Sequence, residues 1–327
     1  MDTNTPNDAT PKTLVEAIRY FSDPDNCHTF LLPLLWPNGI ACPVCGGKSH
    51  SFLSTRRLWK CKGCKKQFSI KVGTIMEDSP LGLDKWLTGM WLIVNAKNGI
   101  SSYEIHRALG ITQKSAWFLL HRIRLAMQAG SFGKLAGGVE VDETFIGGKA
   151  RNMHKDKRAE KIHGRGGVGK AIVLGILERG GKVKTTVIPN TKKKTVQPIV
   201  RETVEAGATI RTDSLKSYEG LAPDYAHEAV DHAANEYVRD NAHTNGLENY
   251  WSLLKRCIKG TYVSVEPFHL FRYLDEEAFR FNERKHPNGG VKTDGERFID
   301  VTGGVAGKRL TYKALTGKTA PECPPQP

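Results

Sequence analysis

The chain has 327 residues, 39% of them hydrophobic, and its Lys and Arg outnumber Asp and Glu by 48 to 34, a formal charge of +14. That length allows two or three domains with real cores, and the charge favours a polyanionic partner such as nucleic acid over a small neutral substrate. No run approaches the length of a membrane span, and M-D-T-N-T-P-N-D-A-T-P lacks the basic start and apolar core of a leader, so a cytoplasmic protein is expected.

Residues 1–36 read as a lead followed by one helix, with Leu14, Ala17, Ile18 and Phe21 at helical spacing. Residues 37–73 carry Cys42, Cys45, Cys61 and Cys64 as C-x2-C-x15-C-x2-C, four of seven cysteines. Two such pairs match a four-thiolate zinc ribbon, in which the ion joins two knuckles. Four thiolates close the shell, so one structural zinc is expected with no position open to substrate. Arg56, Arg57, Lys65 and Lys66 flank the knuckles as candidate DNA contacts.

Residues 80–130 read as a helix-turn-helix domain, with a short helix, a turn at Leu109-Gly110-Ile111 and a longer helix beginning at Gln113. Gln113, Lys114, Ser115, His121, Arg122 and Arg124 fall outside its apolar stripe and are candidates for reading DNA.

Strand patterns occupy 138–146, 170–178, 182–189 and 208–213, and helical patterns about 195–206, 244–258 and 267–283. This order predicts an α/β domain over 137–285, a mixed sheet with helices on its faces. A basic, Gly-containing loop separates the first two strands and is expected to be mobile until it meets a partner. Residues 286–327 turn Gly- and Pro-rich and are expected to form a flexible tail. Gly164-x4-Gly169-Lys170 resembles a phosphate loop, but Ala171 replaces the hydroxyl residue and a strand follows instead of a helix, which excludes that reading.

Asp142 and Asp213 close strand-like runs, whereas Glu248 sits on a helical pattern. On that helix Leu247, Trp251, Leu254 and Ile258 share one direction, with Tyr250 at its edge. Asn245, Glu248, Ser252 and Lys255 form a neighbouring stripe, which separates Glu248 from Lys255 by about 10 Å along the axis. Carboxylates from separate rigid elements can hold two hard cations for phosphodiester chemistry, with Lys255 beside a passing phosphate.

The segments C-P-V-C-G-G, C-K-G-C-K-K-Q-F-S-I-K-V-G-T-I, V-E-V-D-E-T-F-I-G-G-K, I-R-T-D-S-L-K-S-Y and H-T-N-G-L-E-N-Y-W-S-L-L-K-R resemble bacterial insertion-sequence transposases. The resemblance is to those with an N-terminal zinc ribbon and an ISXO-type DDE domain, related to the Merlin elements. It implies a ribonuclease H-like fold behind the zinc ribbon and helix-turn-helix. It also implies a triad of Asp142, Asp213 and Glu248 with Lys255 trailing, and two catalytic Mg2+ that Mn2+ can replace. Relatives can carry Asn at the third position; Glu248 ranks first here, with Asn245 and His243 as assisting candidates. The implied partner is double-stranded DNA, as element ends and target, held by at least a dimer in the bacterial nucleoid.

Overall fold

The computed structural model describes residues 11–128, 133–148, 154–161, 169–213, 215–230 and 244–317. They form two units, one from the residues up to 129 together with those from 290 onward, the other from 130–289.

In the first unit Thr13 opens α1 (Leu14–Phe21) by a reciprocal cap: its hydroxyl accepts from the Glu16 N–H and the Glu16 carboxylate accepts from its own N–H. Asp23 caps α2 (Pro24–Leu35), where Pro24 takes the first turn that needs no N–H. The antiparallel strands β1 (His50–Leu53), β2 (Leu58–Cys61) and β3 (Gln67–Phe68) follow. This small sheet is filled by Trp59, which stacks on Phe68 and meets Trp36 edge-on at 5.2 Å. Three helices complete the stretch, α3 (Leu83–Asn95), α4 (Ser102–Leu109) and α5 (Gln113–Met127). Gly110 ends α4 at φ +60°, and Thr112 caps α5.

The second unit is a mixed five-stranded sheet. It contains β4 (Gly138–Ile146), β5 (Ala171–Glu178), β6 (Val183–Ile188), β7 (Thr209–Asp213) and β8 (Ala226–Val230), in the order β6-β5-β4-β7-β8. β6, β5 and β4 are antiparallel, whereas β4, β7 and β8 run parallel. Its helices are α6 (Lys155–Lys161), α7 (Lys193–Thr203), α8 (Asn245–Arg256) and α9 (Leu270–Asn282). Alternation divides the sheet into two faces: Val139, Val141 and Ile210 join a core with Val196 and Val200 of α7, and Val173 and Leu177 join one with Leu247, Trp251 and Leu274. The expected α/β architecture, a mixed sheet with flanking helices, is therefore present. Of the basic loop between β4 and β5, α6 is described, while 149–153 and 162–168 lie outside the described residues.

The C-terminal stretch corrects the sequence reading. Residues 286–327 are not one flexible tail: α10 (Asp294–Gly303) and α11 (Tyr312–Leu315) lie in the first unit, and only 318–327 fall outside the described residues. Phe298 of α10 is fully buried, with its ring 5.2 Å from Trp91, 5.4 Å from Phe30 and 5.6 Å from Phe21. Gly and Asp residues dilute the apolar pattern of this helix, whose stability comes from that aromatic cluster. A local signal did exist, since Thr293 and Glu296 form a reciprocal cap.

Candidate active site

Asp142 lies on β4 opposite Gly175 of β5. The β4–β7 ladder pairs Val139 with Ile210 and Glu140 with Arg211, then stops. The same offset carried two residues further brings Asp142 level with Asp213; Asp213 ends β7, whereas Asp142 does not close its strand as expected but lies in the middle of β4.

The face of β4 that carries Glu140 and Asp142 docks α8 through two hydrogen bonds. The Trp251 indole Nε1 donates to Asp142 Oδ2 at 2.8 Å, and the Leu247 N–H donates to Glu140 Oε2 at 2.9 Å. Thr244 gives α8 no side-chain cap, so the buried Glu140 carboxylate serves its N-terminus from across the fold. The other Glu140 oxygen accepts from Arg179 Nε at 3.0 Å. Two glycines permit this approach: a Cβ on Gly175 would fall 2.6 Å from the Trp251 ring, and one on Gly246 would fall 2.8 Å from Glu140 Oε2. Leu247, Tyr250, Trp251 and Leu254 are buried, Asn245, Glu248 and Ser252 are exposed, and Lys255 is half-buried.

Burial raises the Asp142 carboxyl above its ordinary value; the Trp251 donor opposes that, and the charges of Asp213 and Glu248 add to it. Sequence reasoning missed their neighbour Glu143, whose carboxyl burial pushes up to about 7, with Tyr218 opposing and Asp213 and Asp142 reinforcing the rise. Both Glu143 oxygens, the Tyr218 hydroxyl and Ser217 Oγ are shielded from solvent, and Tyr218 faces the Glu143 carboxyl without the geometry of a full hydrogen bond. An acid directly after Asp142 was the available signal, but alternation put it on the opposite face of the strand.

In the first unit Cys42, Cys45, Cys61 and Cys64 place their sulfurs within 4.8 Å of one another, the one such cluster of metal-type ligands among the described residues. Sγ–Sγ distances of 3.6 Å for Cys42–Cys64 and Cys45–Cys61 match the edge of a tetrahedron with zinc–sulfur bonds of about 2.3 Å. The Cys64 backbone N–H, working against burial, lowers the Cys61 thiol to about 7, whereas Cys64, despite the Lys66 backbone N–H, is raised to about 11 by burial and the other three sulfurs.

Residues 134–282 match the model of the ISXO2-like transposase domain, and residues 22–67 match that of the transposase zinc-ribbon domain. The chain belongs to the ISXO2-like transposases. A protein in the transposable element ISH50 of Halobacterium salinarum is 25% identical to this transposase over 253 residues, 74% of this chain and 85% of that protein. A transposase-like protein of Haemophilus influenzae is 31% identical over 102 residues, 31% of this chain and 81% of that protein.

Among the expected DNA-reading residues of the transposase, three are corrected. His121, Arg122 and Arg124 on α5 are buried, not displayed. Arg122 Nε donates to the Leu310 carbonyl at 2.9 Å, and its guanidinium covers the Phe118 ring at 4.4 Å. The returning C-terminal stretch thus meets Arg122 on α5, and a charged side chain that looked solvated in the pattern became interior. Gln113 donates to Ser102 Oγ at 2.9 Å, exposed Lys114 lies over the Tyr312 ring, and Ser115 is half-buried. On the ribbon Arg56, Lys65 and Lys66 are exposed, while Arg57 pairs with Asp25 at 2.8 Å. His243 lies outside the described residues. No helix among the described residues is long and apolar enough to cross a membrane.

Proposed function

We propose that this transposase binds the terminal inverted repeats of its insertion sequence, cleaves the DNA at the element ends, and joins the freed 3′ hydroxyl to target DNA. Both steps are in-line phosphoryl transfers, with water and then the 3′ hydroxyl as nucleophile, and neither requires a covalent protein intermediate. The observation that carries this reading is geometric: the β4–β7 register sets Asp142 level with Asp213, and Trp251 ties the helix that bears Glu248 to Asp142.

The donor set fits hard divalent cations. It consists of carboxylate oxygens, which suit Mg2+ or Mn2+, and the shielded Glu143 carboxylate beside it adds a further oxygen donor. Asp142, Asp213 and Glu248 would hold two such ions, which supply Lewis-acid stabilisation of the attacking and leaving oxygens. Trp251 occupies one Asp142 oxygen and leaves the other for coordination. Glu140 fixes the first turn of α8, and with it Asn245 and Glu248. Glu248 is the third ligand in this reading, Asn245 and His243 assist, and Lys255 meets a DNA phosphate.

The four cysteines would hold one structural zinc, and Arg56, Lys65, Lys66, Lys114 and Gln113 would contact DNA phosphates and base edges. Two element ends must be held together, so a homodimer or larger assembly acts on DNA in the nucleoid. Asp142→Ala and Asp213→Ala should reduce magnesium-dependent nicking of end-containing DNA to background while leaving its binding intact. Undiminished cutting by either variant rejects the reading. Cutting without joining in a strand-transfer assay would replace it with a nuclease.

A further inference from the structure

Beyond Arg256 the helix carrying Glu248 widens into a π-type turn, Cys257–Tyr262, and the chain then reverses at Val263. Val263 has φ 62° and ψ −55°, and the Ser264 N–H donates to the Tyr262 carbonyl at 2.6 Å, closing a γ-turn. This is a strained conformation for a β-branched residue, and glycine would adopt it freely. Buried groups anchor the chain just ahead of it, at Cys257 and Tyr262. The Tyr262 hydroxyl donates to Glu276 Oε1 at 2.5 Å, and its ring meets Tyr273 edge-on. Arg280, paired with Glu276 and Glu277, donates to Cys257 Sγ at 3.3 Å.

Neither conformation nor burial recommends valine at this tip, because its side chain is 77% exposed. Phe268 and Phe271 are exposed nearby in sequence, one turn apart. Between residues 255 and 272 the bases Lys255, Arg256, Lys259 and Arg272 stand against one acid, Glu266. Apolar side chains on a rigid mount, with cations alongside, suit a partner that has both an anionic backbone and stackable faces, which is DNA.

We propose that the connector between α8 and α9 is a DNA wedge: Val263 and Phe268 enter between bases while Arg256 and Lys259 hold the flanking phosphates. The inference rests on the end-cleaving function proposed above and adds a place where the duplex is opened. From Glu248 to Arg256 the helix rises about 12 Å, the length of about four base pairs, so unstacking falls within about six base pairs of the cut.

The test uses the full chain, Mg2+, and duplexes made from the DNA flanking its own reading frame, with 2-aminopurine at successive positions. Wild-type protein should raise 2-aminopurine fluorescence near the cut. Val263→Ile should retain the signal, and Val263→Ser and Val263→Gly should lose it. Phe268→Ala should weaken binding roughly 5- to 150-fold, the range for one stacked base. The melting temperature of Val263→Gly should be no lower than that of wild type, since strain is relieved and no packing is lost. Wild-type fluorescence and affinity in the Ser and Gly variants would overturn the wedge while leaving the cleavage reading intact. So would a fall in melting temperature for Val263→Gly, or a Val263→Ser variant whose copies separate in sedimentation while the DNA signal persists. If the wild type does not nick these duplexes, the cleavage reading fails and the wedge fails with it.

Discussion

The Trp251 indole and the Asp142 carboxylate are joined by a 2.8 Å hydrogen bond that ties the middle of α8 to the centre of the sheet. Glu248 lies three residues before Trp251 on the same rigid helix, so this bond also fixes the spacing of two acids.

Trp251→Phe keeps the ring and removes the donor that opposes the raised pKa of Asp142. The sign follows from linkage. A carboxyl whose folded pKa lies above its unfolded value carries no penalty below the ordinary value of about 4, where it is protonated in both states, and the full penalty once pH exceeds the folded pKa. Without metal, the variant should therefore fall further below wild type as pH rises from about 4 to 7, read by denaturant midpoints at each pH. A gap that narrows over that range would show that the indole does not serve the carboxylate.

Gly175→Ala should cost about 1–3 kcal/mol through overpacking, because neither a central strand nor the Trp251 ring can retreat from a new Cβ. Urea unfolding reads the loss, and nicking activity should drop more steeply than the folded fraction as α8 is displaced.

Glu140→Ala leaves the α8 N-terminus and Arg179 without their shared acceptor, at a cost of about 3 kcal/mol. Glu140→Gln keeps an oxygen for Leu247 and should lose less. Mn2+ affinity measured by electron paramagnetic resonance should follow the same order, and equal affinities in the two variants would separate Glu140 from the acidic site.

Removing zinc with a chelator should unfold the small sheet around Trp59, seen as a red shift in tryptophan emission as the contacts with Trp36 and Phe68 are lost. Emission unchanged after complete metal loss would mean that the aromatic cluster holds the ribbon by itself.

Arg122→Ala should destabilise the first unit by about 2 kcal/mol, since its guanidinium bonds the Leu310 carbonyl in the interior. DNA affinity should then fall only with the folded fraction in a thermal titration, unlike Lys114→Ala, which should weaken binding at full stability.

The β-strand pattern was legible because alternation is a local signal, and Glu248 and Trp251 separated onto different stripes for the same reason. The sequence put Asp142 at a strand end, whereas the structure has it in the middle of β4. What escaped notice depended on distant partners. The importance of Glu140 comes from Leu247 and Arg179, more than 100 and nearly 40 residues away, and that of Glu143 from the distant Tyr218. Arg122 looked solvated because no local pattern reveals that a stretch nearly 190 residues later, at Leu310, returns to meet it, and the burial of His121 and Arg124 is equally absent from the local pattern.

That return governs how the gene can be divided. A fragment ending before Gly290 would keep the four cysteines but lack Phe298, and the aromatic surfaces of Phe21, Phe30 and Trp91 would open to water. The front portion has no contiguous coding segment of its own. Expression of a minimal first unit requires joining residues up to 129 to those from 290 onward through a linker that replaces the sheet-bearing stretch.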